Sequence, residues 1–190
     1  MTKMNVRMTL LSDAIFGNGS SIPGGEDISV LCDGFGFPYF KGGTFKGIFR
    51  EELERYLELC GKGTSDIRET VARLLGIASS DDNCDQMIFS DFTIAPDVTK
   101  IILEEVGIDR PEVVTDILTN VRTFTEIEEN GIAAKGTLRR ARCVNEGISF
   151  YSLLSCPEEE KKLVTEVLGM IKWVGSMRNR GFGKIRITVL

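Results

Sequence analysis

Three short segments carry residue types that could do chemistry. The first, GSMRNRGFGK (175–184), interleaves Gly175, Gly181 and Gly183 with Arg178, Arg180 and Lys184. Glycines at this density admit positive φ and close backbone approach, and such a loop can cradle phosphates through main-chain N–H groups. It is not a nucleoside-triphosphate loop, since no Gly-Lys-Ser/Thr follows, nor a dinucleotide fingerprint, since a strand rather than a helix follows it. The second, GGTFKGIFREELE (42–54), puts Lys46 and Arg50 four residues apart on one helical face, at a helix start where N–H groups already favour an anion. The third, GGEDISVLCDG (24–34), places Asp27 in a glycine-rich loop beside Glu26 and six residues before Asp33. One loop carboxylate can hold a divalent cation or take a proton from a hydroxyl such as a ribose 2′-OH. Each segment also has a structural reading: a solvated loop closing the fold, a basic face countered by Glu51 and Glu54, and a pair of turn formers.

Composition narrows the chemistry. The chain has 190 residues and no histidine, so every mechanism that needs an imidazole is excluded. Its five cysteines (Cys32, Cys60, Cys84, Cys143, Cys156) include no C-x-x-C pair, which argues for reduced thiols rather than a zinc site or a disulfide framework. A net charge of -5 speaks against an isolated nucleic-acid binder, yet a basic groove can sit on an acidic molecule. Acidic residues gather in 51–58, 104–116, 126–129 and 158–160, whereas arginine and glycine gather in 135–142 and 175–186. No apolar run approaches the ~18 residues of a membrane span, and MTKMNVRMTL lacks the apolar stretch of a signal peptide, so a cytoplasmic location is expected.

The elements that must position these segments follow from periodicity. Met4, Val6, Met8 and Leu10 alternate with polar residues, as in a half-buried strand. Phe45, Ile48, Phe49, Leu53, Leu57 and Cys60 share a helical face, with Thr44 as the expected N-cap and Gly61 as the stop. A shorter helix is expected over 65–75, a strand over 86–94, and two short helices over 97–119 as an insertion. TLRRARCV and ISFYSLL bracket Asn145-Glu146-Gly147, which predicts a hairpin. Ser155-Cys156-Pro157-Glu158 has the form of a capping box, opening a helix that turns Leu163, Val164, Val167, Leu168, Ile171 and Val174 inward. An alternating strand from Lys184 to Leu190 ends the chain. The long elements run strand, helix, strand, strand, helix, strand. That order predicts one α+β domain over 1–190, with a ferredoxin-like (RRM-like) β-α-β-β-α-β core and a helical insertion at 97–119.

Taken together the segments resemble the RAMP superfamily of CRISPR-associated proteins, specifically the repeated backbone subunit of type III effector complexes. EDISVLCDGFGFPYFKGGTFKGIFREELE is similar to the family's aspartate, short strand, second aspartate and helix entry. IFSDFTI resembles its central strand, TFTEIEENGIAAKGTLRRARCVNEGISFYSLL its Thr-Glu, Asn, Leu-Arg strand region, and GSMRNRGFGKIRI its carboxy-terminal glycine-rich loop. Thr44-Phe45 stands where serine and leucine are commoner, and Ile-Ala-Ala follows Asn130 where the family often has Ile-Asp-Arg.

The resemblance implies that many copies line a guide RNA alongside other CRISPR effector subunits. The implied contacts are Gly43, Thr44, Lys46, Arg50, Arg139 and the loop Arg178, Asn179, Arg180, Gly181, Phe182 and Gly183. It also implies that Asp27 is the catalytic residue and the ligand of Mg2+ or Mn2+, cutting paired target RNA. The family's thumb-like element falls to residues 97–135 by placement. The competing readings are a non-catalytic RAMP subunit, a repeat-processing endonuclease, which usually depends on histidine, and a ferredoxin-like regulatory or metabolic domain.

Overall fold

The computed structural model describes residues 1–21, 25–76, 86–125, 131–132, 134 and 136–190. Cys84 and the Glu126 and Asn130 of the family resemblance lie outside the described residues. The first strand, β1 (Thr2–Leu10), forms where the sequence alternates. Its Met4, Val6, Met8 and Leu10 are buried, and Lys3, Asn5, Arg7 and Thr9 take the opposite face.

After β1 come α1 (Gly42–Leu59), α2 (Thr64–Leu75), β2 (Ile88–Phe89), α3 (Pro96–Val106), α4 (Pro111–Leu118), β3 (Thr119–Phe124), β4 (Arg139–Val144), β5 (Ser149–Cys156), α5 (Lys161–Met170) and β6 (Ile185–Val189). The main sheet has the order β2-β5-β1-β6. β1 pairs antiparallel with β5 from Thr2↔Cys156 to Thr9↔Ser149, and with β6 from Val6↔Val189 to Leu10↔Ile185. Counting core strands alone, this is the ferredoxin-like arrangement, with α1 and α5 as its crossovers.

The apolar stripe of α1 fills the space over the sheet. Phe45, Phe49 and Leu53 are fully buried, and Phe45 meets Phe92 with ring centroids 4.6 Å apart. Each such side chain contributes roughly 1.5–3 kcal/mol on burial. Helix α1 ends as expected. Gly61 has φ 76°, and its N–H and that of Lys62 bond back to Glu58 and Leu57. Helix α2 packs beside α1 through Ile67, Val71, Leu74 and Leu75.

Three local expectations are corrected. TLRRARCV and ISFYSLL do not form a hairpin: β4 pairs with β3, from Thr119↔Val144 to Phe124↔Arg139, as a separate two-stranded ribbon. Both edges of β5 are taken by β1 and β2, so it has no edge to offer β4. The 145–147 turn instead carries the chain between the two sheets, with Gly147 N–H bonded to Leu10 O and Glu146 N–H to Asp13 Oδ1. The capping box is also absent, because Ser155 is still a strand residue opposite Lys3 and Ile88. A 3-10 turn (Glu158–Glu160) precedes α5, and Ile171 and Val174 are buried beyond that helix's end. Finally, α1 starts at Gly42 rather than after Thr44. The Gly42 N–H is capped from a distance by Asp91 Oδ1, at 2.7 Å.

The ribbon, with α3 and α4, lies between β2 and β5 in the chain. It sits over a small second core in which Ile15, Ala141 and Cys143 are buried, packed by Ile28, Phe124, Met177 and Phe182. A third edge runs along β4. Asp27 and Ile28 donate their N–H groups to Arg140 O, and Arg142 N–H returns a bond to Ile28 O.

Candidate nucleic-acid interface

The glycine-rich loop reaches the ribbon through specific approaches. A Cβ on Gly183 would lie 1.8 Å from Val174 O, and one on Gly175 would lie 2.5 Å from Ile15 O. Both residues have φ of 74°, so only glycine fits. Their role is to seat the loop rather than to bind a phosphate. Main-chain donors of the loop are used internally: Gly183 N–H bonds to Asp13 O, Arg180 N–H to Met177 O and Gly181 N–H to Arg178 O. Those three donors are thereby spent, and the arginine side chains supply the loop's charge. Met177 takes φ 57°, left-handed for a non-glycine residue, which turns the Arg178–Arg180 segment outward as one 3-10 turn.

Seated this way, the loop faces β3 and β4 across a cleft of about 690 Å3, lined by Phe124, Thr125, Gly136, Thr137, Arg139, Met177, Asn179 and Arg180. Phe124 and Phe182 meet edge to face, with centroids 5.5 Å apart, and close one end of the approach. On the other side of the same loop, Arg178 and Ser176 line a second groove with Thr44, Lys41, Ile48 and Glu51 of the α1 start. Gly43 is exposed at that start. Arg139, Arg178 and Arg180 are exposed, and among the described residues none of them forms an ion pair.

Of the residues singled out from the sequence, the structure thus brings together Arg139, Asn179 and Arg180, with Thr44 and Arg178 in the adjoining groove and Gly181 and Phe182 in another, beside Asp13 and Arg122. Arg50 is directed elsewhere, and Lys46 lines neither the cleft nor the Arg178 groove. Arg50 donates to Gly76 O at 3.2 Å and lines a groove against α2 with Glu54 and Glu58. Lys46 is half-buried, and that burial, then the charge of Arg50, holds its ammonium pKa below the usual value. The anion-favouring end of α1 already has a carboxylate, Asp91.

Asp27 is exposed, and its Oδ2 accepts the Arg140 N–H at 2.7 Å. The carboxylate therefore stands at the ribbon edge, one residue from Arg139. Its two acidic neighbours in sequence point away. Glu26 is buried against Arg142 (Oε1 to Nη2, 2.5 Å), and Asp33 Oδ1 accepts the Phe35 and Phe37 N–H groups as a turn former. Among the described residues no three acidic or cysteine side chains converge on one point, so they form no closed cage for a cation.

Two anchors of the lobe were not legible in the sequence. Arg142 spans Glu26, Asp116 (2.6 Å) and Thr119 Oγ1 (2.9 Å), tying the ribbon to α4 and to the Asp27 loop. Arg122 grips Asp13 Oδ2 through Nε and Nη2 at 3.0 and 2.6 Å. Burial pushes the Asp13 carboxyl up. The hydrogen bonds from Arg122, Asn120 and the Glu146 N–H outweigh that and hold it below its ordinary value. No pattern marks these arginines in advance, because their partners lie far away in the chain.

Comparison with known proteins decides the family. The RAMP superfamily model matches residues 7–186. The chain belongs to the RAMP superfamily. Among solved structures, a chain of the Type III-B Cmr-beta complex bound to cognate target RNA superposes with a TM-score of 0.71 at 12% identity, over 100% of this chain and 97% of the other. A chain of the same type of complex in the apo state gives 0.69 at 12% identity, over 99% and 97%. At that identity the likeness establishes the shared RAMP fold. No curated protein matches the chain. Among the described residues, no helix is long and apolar enough to cross a membrane.

Proposed function

We propose that this RAMP protein is a subunit of a type III CRISPR effector complex, holding guide RNA along the cleft between the β3–β4 ribbon and the Arg178–Gly183 loop. The observation that carries the reading is that Arg139 and Arg180, exposed and without an ion pair among the described residues, share the cleft with Asn179 and Phe124 on a RAMP fold, with Arg178 in the groove on the other side of the same loop. The similar chains come from Type III-B complexes, one of them bound to target RNA. Copies of the chain add side by side along one guide strand, next to other effector subunits, so that weak single contacts sum. Binding must then weaken with salt, at a log-log slope of about -0.7 per phosphate neutralised. Replacing Arg178 and Arg180 together by alanine flattens that slope by roughly one to two units in an anisotropy titration, with unchanged thermal unfolding. An unchanged slope refutes the cleft as the RNA site.

The same reading extends to cutting of paired target RNA at Asp27. Its Oδ2 is anchored by Arg140, while Oδ1 takes no hydrogen bond among the described residues, and that oxygen is the one that would hold a hydrated Mg2+ or Mn2+. A bound ion would stabilise developing charge at the scissile phosphate. Asp27 itself orients the 2′-hydroxyl or takes its proton. Asp27→Asn keeps an acceptor for the Arg140 N–H and lowers cleavage of guide-complementary RNA by roughly a hundredfold, with RNA affinity unchanged. If neither parent nor variant cuts although both bind the paired target, the chain is a non-catalytic RAMP subunit. Asp27 is then only the residue that pins its loop to β4.

A further inference from the structure

The helices α1 and α5 cover one face of the main sheet; the other face is open and chemically distinct. Its central row crosses the sheet through Thr93, Tyr151, Arg7 and Thr188, set by the pairings Thr93↔Tyr151, Arg7↔Tyr151 and Arg7↔Thr188. Rows on either side add Arg186 opposite Thr9, Asn5 opposite Leu153, and Lys3 opposite Ser155. Lys3, Asn5, Leu153 and Arg186 are exposed and Arg7, Tyr151 and Thr188 half-buried, so the described residues leave the face open there. No aspartate or glutamate occurs in any of the four strands, although the chain as a whole carries a net charge of -5. Among the described residues Lys3, Arg7 and Arg186 form no ion pair. Among the described residues the Arg7 Nε, shut off from solvent, has no hydrogen-bond partner, which is a standing cost in the free protein.

We infer that this open sheet face is a second RNA-binding surface, separate from the ribbon cleft, which stacks a base of single-stranded RNA on Tyr151 and takes its phosphates on Arg7, Arg186 and Lys3. Two central strands contribute the aromatic ring and the arginine at directly opposite positions, where cross-strand side chains touch. A four-stranded sheet presenting an aromatic ring and cations to an unstacked base is a general solution for single strands. The polar remainder of the row, Thr93 and Thr188, offers hydroxyls to base edges or to the 2′-OH. The strands bring three cations and no carboxylate, and Asp91, which lines the groove beside Tyr151 and Thr93, already gives its Oδ1 to the Gly42 N–H; that balance favours a polyanion over a protein partner, which would more often bring its own cations to an acidic molecule.

The inference rests on the RNA-binding reading of the chain, and the test separates the two. Oligouridylate labelled with a fluorophore is titrated with the full chain, with Tyr151→Ala, with Tyr151→Phe, and with the Arg178/Arg180 double alanine variant. We expect Tyr151→Ala to weaken binding roughly tenfold and Tyr151→Phe to retain it, because the ring is what stacks. The Arg7→Ala change should flatten the salt slope by about 0.7. Photo-crosslinking to the same RNA should label the β5 peptide that contains Tyr151. Loss in the double alanine variant with no loss in Tyr151→Ala, and no crosslink on β5, overturns the second surface and leaves the cleft standing. No loss in any variant overturns both. A Tyr151→Ala defect in self-association, with RNA affinity intact, also overturns it, by showing that a copy of the chain occupies the face.

Discussion

The ferredoxin-like core and the ribbon lobe are held together by different forces. The core closes over fully buried phenylalanines from three parts of the chain, Phe45 and Phe49 of α1, Phe92, and Phe150 of β5. The lobe has a small core of Ile15, Ala141 and Cys143, and relies on arginines, Arg142 to Glu26 and Asp116 and Arg122 to Asp13. Apolar burial is non-directional and tolerates any approach that fills space, whereas an ion pair fixes one geometry. The lesson is a division of labour: the core sets the fold, and the polar ties set where the arginines and Asp27 stand relative to one another. A lobe built this way can expose cations without losing its shape.

The comparison is open to breakage from the core side first. Phe49→Ala leaves a cavity in the middle of the sheet–helix interface and should cost about 4 kcal/mol in urea unfolding. Stability lower by less than about 1 kcal/mol would mean that the core is not the dominant reservoir. Arg142→Ala should cost less, about 2 kcal/mol, chiefly because Glu26 is left buried without its partner. Its sharper signature is local. Amide exchange should quicken in β4 and in residues 25–28 while β1 and β5 stay protected, so equal loosening of both sheets would refute a lobe-specific tie.

The smallest effect concerns acid. The folded Asp13 carboxyl lies below its ordinary 3.8, so its contribution is complete above that pH and is lost as pH falls through the folded value. Parent protein should therefore unfold about 2 °C higher than Asp13→Asn near neutrality, and the gap should close on acidification. A gap that widens in acid would show the carboxyl to be held above, not below, its free value.

Within the chain, features carried by neighbours three, four or two residues apart could be read directly. The alternation in β1, the α1 stripe and its Gly61 stop, α2, and the two insertion helices all appear where periodicity places them. The element order and its ferredoxin-like sense were equally legible, because they depend on how many long elements there are and not on who pairs with whom. Asp33, Arg139 and the arginine-bearing loop were visible as types at a spacing.

Pairing and direction were decided elsewhere. Which strand β4 would join depended on β5 having both edges occupied, a fact about a sheet whose strands β1, β2 and β5 are far apart in the chain. Whether Arg50 would join the arginine loop depended on α2, since the Gly76 carbonyl just past its end accepts from Arg50. Asp27 was recognisable as a loop carboxylate, but its bond to Arg140 and the turning of Glu26 toward Arg142 come from the ribbon docking against residues 26–28. The elements follow from near neighbours alone, because helix and strand periodicity are local. Tertiary structure decided the site, because hydrogen bonds and ion pairs between distant residues form only after packing has chosen which polar groups meet.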